Sequence, residues 1–251
     1  MTGGSRALVA GNWKMHGTTA SLAELRLLAT MLKGVKLSCD VLICPPASLL
    51  MAASRLTRSS PIRLGGQNCH PEPTGPYTGE VAAEMLKDAG ASFVIVGHSE
   101  RRIGYAESDE LVRGKAQAAH RAGLVPIICI GETLEQRKHG ETLQITAEQL
   151  KASVPEDSNG ANTIIAYEPV WAIGTGLTPT PAQIGEVHGH VRSMLAKHVG
   201  SGMESALILY GGSVKPANAV ELMAIANVNG ALVGGASLRA ADFIGIVKAY
   251  S

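Results

Sequence analysis

Aromatic side chains are scarce in this sequence. Trp, Tyr and Phe together make 4% of 251 residues, so Val, Ile, Leu and Ala must fill whatever core the 45% hydrophobic content builds. Net charge is nearly absent as well. Lys and Arg number 22 against 21 Asp and Glu, a formal +1 that offers no electrostatic footprint for nucleic acid or an anionic membrane. An anion must therefore be gripped by a local site. Cysteine is sparse and unpatterned: Cys39, Cys44, Cys69 and Cys129 form no CxxC pair and no zinc-like spacing. Reduced thiols in a cytosolic protein are the simplest account. The apolar stretch after the polar start at Met1 to Arg6 is too brief for a signal peptide, and no run is long enough to span a bilayer. The expectation is a soluble cytoplasmic protein. Linkers and low-complexity stretches are also missing, so no domain boundary is expected within 1–251.

What is present is a succession of short β-rich runs: Ala7–Gly11, Asp40–Cys44, Ile62–Gly66, Ser92–Gly97, Val125–Gly131, Thr163–Tyr167, Ala206–Tyr210 and Ala231–Gly234. Most are nearly continuous in apolar residues rather than alternating, as parallel strands covered on both faces require. Helical spacing lies between them. Leu22, Leu25, Leu28 and Leu32 mark one apolar face. Thr180 to Gln183 reads as a capping box with Pro181 at the first helical position, opening a helix that fades near Gly200. Pro216 starts another, and Gly90 and Gly123 stand where C-terminal caps belong. Eight strands alternating with helices fit a closed barrel or an open doubly wound sheet. The near-regular repetition favours an α/β fold of one domain, a (β/α)8 barrel over 1–251.

Chemistry in such a barrel sits where strands end. After the first run comes Gly11-Asn12-Trp13-Lys14. A lysine past a strand is ordinarily a solvated charge, but at a barrel mouth it is a fixed cation for a phosphate and a developing oxyanion. After the fourth comes Gly97-His98-Ser99-Glu100-Arg101-Arg102. A lone histidine here is more often structural than catalytic, and Arg101 and Arg102 read as ion-pair partners. After the sixth, Glu168 precedes Pro169, which restricts it to extended geometry. The stretch 169–176 has proline and glycine ends around an apolar middle, the build of a hinged lid. After the seventh and eighth come Gly211-Gly212-Ser213 and Gly234-Gly235, whose backbone amides suit a phosphate. A base, an acid, a cation and a phosphate cradle suit proton abstraction beside a carbonyl on a phosphorylated substrate. His188 and His190 sit mid-helix at a spacing that sends their rings to different faces, and read as non-functional.

Together these segments resemble the triosephosphate isomerase family. The likeness rests on AYEPVWAIGTG at 166–176, GNWK at 11–14, GQN at 66–68, GHSERR at 97–102, CIGE at 129–132, YGGSV at 210–214 and LVGGASL at 232–238. It runs essentially the full chain. The resemblance implies Glu168 as base, His98 as a neutral electrophile, Lys14 as electrostatic anchor with Asn12 beside it, and Glu100 as an accessory acid. It implies phosphate binding by Gly174, Ser213, Gly234 and Gly235, and lid partners in Trp171, Glu132, Tyr167 and Tyr210. Cys129 is a packing residue on the same grounds. A triose phosphate substrate, no cofactor, no metal, and a homodimer through the loop 69–80 are also implied. Two departures stand out: Leu177 replaces a common lysine after the lid, and the loop 69–80 is unusually rich in proline. The alternatives are another phosphate-binding barrel isomerase or epimerase, or a silent binding protein on the same fold. The rival enzyme has no reason to carry NWK, GHSERR and the lid segment together, and a silent protein would be signalled by loss of Lys14, His98 or Glu168, none of which is lost.

Overall fold

The structure, a computed structural model, describes residues 6–173, 175, 177–198 and 202–250. Eight strands follow one another along the chain: β1 (Ala7–Asn12), β2 (Cys39–Cys44), β3 (Ile62–Gly66), β4 (Phe93–Val96), β5 (Val125–Ile130), β6 (Ile164–Tyr167), β7 (Ile208–Tyr210) and β8 (Gly230–Val233). Each pairs in parallel with the next, and β8 returns to β1, closing the barrel. The helices in chain order are α1 (Leu22–Met31), α2 (Ala47–Thr57), α3 (Ala83–Asp88), α4 (Ser99–Gly104), α5 (Asp109–Arg121), α6 (Leu134–Lys138), α7 (Thr142–Ser153), α8 (Pro181–His198), α9 (Pro216–Met223) and α10 (Ala240–Val247). Among the described residues no helix is long and apolar enough to cross a membrane.

The continuous apolar runs are explained by two buried faces. Side chains alternate along a strand, so Leu8, Leu42, Ile95, Ile127 and Leu209 fill the barrel interior. Their neighbours Val9, Val41, Val96, Ile128 and Ile208 face the helical layer. Leu22, Leu25, Leu28 and Leu32 all bury against that outer face. The four cysteines are free and buried. Burial pushes the Cys39 thiol up to about 11 and the Cys69 thiol up to about 12, so both stay protonated and inert.

The local signals also hold. Thr180 and Gln183 exchange the reciprocal bonds of a capping box, Thr180 N–H to Gln183 Oε1 at 2.9 Å and Gln183 N–H to Thr180 Oγ1 at 3.3 Å. Gly90 and Gly123 take φ of +101° and +68° at helix ends. The expected strand Ala206–Tyr210 shortens to three residues because Met203–Ser205 forms a 3₁₀ turn. The expected Ser92–Gly97 ends at Val96, since Gly97 has φ +66° and leaves the sheet. That departure matters for the site. Ile95 points inward, so strand alternation would send residue 97 inward and residue 98 away from the barrel. The turn at Gly97 breaks the alternation, and His98 joins the mouth instead.

Candidate active site

Strand parity brings the first groups to the mouth. Leu8 and Ala10 face inward, so Asn12 at the end of β1 does too, opposite Cys44 in register. Asn12 Oδ1 accepts the Lys14 N–H at 3.0 Å and holds Lys14 at φ +54°. Such a backbone costs a non-glycine residue about 1–3 kcal/mol and persists only where neighbours fix it. Gln67 supplies part of that fixing: its Nε2 donates to Lys14 O and to Cys44 O, both at 2.9 Å. Lys14 Nζ meets Glu100 Oε1 at 2.5 Å.

His98 caps α4. Its Nδ1 accepts the Glu100 N–H at 3.2 Å. An amide only donates, so the single ring proton must sit on Nε2, which donates to Glu168 Oε1 at 2.9 Å. The ring is therefore neutral in this geometry, with the helix N-terminus opposing a second proton. Glu168 is only 2% exposed, and its carboxylate is fully engaged. Besides His98, it accepts the Ser99 N–H at 2.9 Å and the Ser99 hydroxyl at 3.2 Å. Burial alone raises its pKa. The electrostatic attraction of the His98 Nε2–H and its hydrogen bond, the Ser99 amide and the Cys129 thiol outweigh burial and hold it below the usual carboxylate range. For His98, burial lowers the pKa, and the Glu168 charge and hydrogen bond more than reverse that. The two shifts belong to one coupled pair: the carboxylate is ionised, and the ring gains proton affinity only while it faces that carboxylate.

These groups open on a cavity of about 300 Å³. Asn12, Lys14, His98 and Glu168 line it together with Ser213, Gly234 and Gly235, and a Cβ on Gly234 would come within 3.5 Å of the Lys14 side chain. Gly234 and Gly235 open the 3₁₀ turn Gly235–Leu238. Trp13 Nε1 donates to Ser237 O at 3.1 Å and ties that turn to the Lys14 loop. Gly174 lies outside the described residues, as does Gly176 at the end of the expected lid. Glu100 touches Lys14 but does not line the cavity; its side chain is 55% exposed on the far side of the cation.

The start of the expected lid is anchored on Glu132, which is fully buried. Its carboxylate accepts Trp171 Nε1–H at 2.9 Å and the Tyr167 hydroxyl at 3.1 Å, and pairs with Arg137 at 3.1 Å. Tyr210, the fourth expected lid partner, is buried near His188, with ring centroids 6.4 Å apart. Arg101 and Arg102 pair with Glu107 and Asp109, both at 2.6 Å, as the ion-pair expectation has it. His188 donates from Nδ1 to Asn227 O at 3.1 Å, and burial lowers its pKa to about 4. Neither His188 nor His190 lines the cavity. Among the described residues no group of three or more His, Cys, Asp or Glu is arranged to hold a metal ion.

Sequence reasoning left three residues of this site unassigned. Gln67 and Ser99 sit inside quoted motifs, yet only the tertiary hydrogen bonds show what they touch. Lys215 lines the cavity from just before α9, and its position gave no signal.

Comparison with known proteins bears on this geometry. A family model described as triosephosphate isomerase matches residues 7–250. The triosephosphate isomerase of Mesorhizobium japonicum is 56% identical over 251 residues, covering 100% of this chain and 98% of the relative. That of Xanthobacter autotrophicus is 54% identical, covering 99% and 98%. The crystal structure of triosephosphate isomerase from Bartonella henselae superposes with a TM-score of 0.91 at 51% identity, covering 98% and 99% of the two chains.

Proposed function

This chain belongs to the triosephosphate isomerase family, and we infer that it interconverts dihydroxyacetone phosphate and D-glyceraldehyde 3-phosphate by proton transfer through an enediolate. The observation that carries this is the meeting of Glu168, His98 and Lys14 on one cavity that Ser213, Gly234 and Gly235 also line. Glu168 is the base. Held by Ser99 and His98 it is ionised but weak, since every hydrogen bond it accepts lowers its proton affinity. To reach a substrate carbon it must leave those donors for a dry cavity, where a carboxylate becomes more basic. His98 then has its Nε2–H free for the substrate oxygen, and Lys14 adds a fixed positive charge as that oxygen turns anionic. Asn12 holds Lys14 in place, and Glu100 sets the direction of the lysine and the tautomer of His98. Phosphate binding is assigned to Ser213, Gly234 and Gly235, joined by Gly174 on closure. Carbon-to-carbon proton transfer leaves the oxidation state of the whole substrate unchanged, so the reaction has no need of a redox cofactor.

A homodimer is part of the proposal. The loop 69–80 is built for docking: it carries Pro71, Pro73 and Pro76, and His70 packs on Tyr77 with ring centroids 4.0 Å apart. A second cavity of about 400 Å³, lined by Met15, Gln67, Glu80 and Tyr105, lies behind Lys14 and suits a partner's loop. Met15 is 95% exposed in the lone chain, an apolar side chain waiting for cover.

The test is a coupled assay for glyceraldehyde 3-phosphate, run with a chelator present, on the parent and on Glu168→Gln. The parent should turn over. The variant should fold, yet lose roughly 100- to 10,000-fold in kcat, the span of positioned acid–base catalysis. An inactive parent sinks the activity, and a variant within threefold of it removes Glu168 as the base.

A further inference from the structure

Gln149 projects from α7 onto a single residue at the end of β5. Its Oε1 accepts the Gly131 N–H at 2.7 Å, and its Nε2 donates to Gly131 O at 3.1 Å. Both polar groups of Gly131 are thus satisfied by one side chain. Gly131 lies between the two carbonyls that hold the backbone around Glu168. Ile130 O accepts the Glu168 N–H at 2.8 Å, and Glu132 O accepts the Val170 N–H at 3.2 Å. The approach is so close that a Cβ on Gly131 would fall 1.8 Å from Glu168 O. Gln149 and Glu168 also share a small cavity of about 120 Å³, with Gly131 and Val170 in its wall.

Resting on the isomerase function inferred above, we propose that Gln149 is a positioning residue, which sets the Gly131 segment as the fixed anvil for the Glu168–Val170 hinge. The physical reason is leverage. The side chain of Glu168 must move to reach substrate while its backbone stays put, and the Glu168 and Val170 amides are held by the carbonyls flanking Gly131. An unbraced Gly131 is free to rotate, since glycine lacks the Cβ that restricts other residues. Rotation would swing both carbonyls off their amides. The base would then reach the substrate carbon less often, and the enediolate would be held closed less tightly.

The experiment compares the parent with Gln149→Ala and Gln149→Glu. For Gln149→Ala, kcat should fall about tenfold, equivalent to about 1.4 kcal/mol of barrel-mouth positioning, with KM changed less than about twofold. The fraction of turnovers ending in methylglyoxal and free phosphate should rise, because an enediolate phosphate left uncovered expels phosphate. Hydrogen exchange of the Glu168 and Val170 amides should quicken. Gln149→Glu keeps the acceptor for Gly131 N–H but loses the donor to Gly131 O until its carboxyl is protonated. Its kcat should therefore fall and its methylglyoxal fraction rise, in the same sense as for Gln149→Ala. If Gln149→Ala does not fold, Gln149→Glu decides. Loss of thermal stability with unchanged kcat, partitioning and exchange overturns the proposal, as does a Gln149→Glu variant whose kcat and partitioning match the parent. An inactive parent would instead sink the isomerase function, and the exchange result on Gln149→Ala would still stand.

Discussion

At the scale of single residues, the site is governed by who donates to Glu168. Three donors from the start of α4 hold the carboxylate, and Ser99 provides two of them. The hydroxyl is the removable one. Ser99→Ala keeps the amide bond but deletes a hydrogen bond to the charged form, so the Glu168 pKa should rise from its depressed value. The sign is fixed: a base works when ionised, so the acid limb of kcat/KM should move to higher pH in the variant. The stability linkage runs the same way. A carboxylate with a depressed folded pKa contributes stability above its unfolded pKa and loses it as pH falls through the folded one. The variant should lose part of that contribution, which acid unfolding with kcat/KM profiles will show. An acid limb that stays put or moves down would remove Ser99 from the control of the base. Little of this was legible beforehand. Glu168-Pro169 and Gly97-His98 are visible in the chain, but nothing in it places Ser99 on Glu168, since the two are 69 positions apart and meet only because β4 and β6 flank β5.

At the scale of elements, the stretch after β6 behaves as a short rigid arm. Pro169 starts it, a 3₁₀ turn at Val170–Ala172 stiffens it, and Trp171 ties it to the buried Glu132. Arg137 covers the Trp171 ring with its guanidinium 4.7 Å from the centroid and also pairs with Glu132, so one buried carboxylate organises the whole anchor. Deleting 170–173 should slow isomerisation and raise the share of turnovers that end as methylglyoxal and phosphate, because water and solvent motion then reach the enediolate. Product partitioning is the measurement. Slow turnover without extra phosphate would make the arm a plain connection. The segment reads as a hinge from sequence because proline restricts the backbone at its start and glycine frees it at its end, both of them local signals. Its anchor is not legible there, since Glu132 lies at the end of another strand. The neighbouring α4 shows the converse: a segment of six residues reads as polar sequence, and only the turn at Gly97 makes its N-cap, His98, face the cavity.

At the scale of the whole molecule, the proline-rich loop 69–80 and the exposed Met15 are what the proposed dimer covers. Shortening 69–80 should give monomers in sedimentation with weak residual activity, because the second cavity behind Asn12, Lys14 and His98 loses its occupant. A parent that is fully active as a monomer at dilute concentration would sink the dimer. The sequence by itself determined the architecture: runs apolar on both faces demand parallel strands sheathed by helices, and caps at Thr180, Gly90 and Gly123 punctuate them. It also placed Asn12, Glu168 and Gly234 at strand ends, where parity and fold together aim them at one mouth. Tertiary structure alone decided the partners. The tautomer of His98, the left-handed backbone of Lys14, the grip of Gln67 and the brace of Gln149 on Gly131 all depend on contacts between loops that only closure of the barrel brings together. Local preferences act over a few residues and can be read along the chain. Hydrogen bonds across tens of residues are set by which strand lies beside which, and that is fixed only when β8 meets β1.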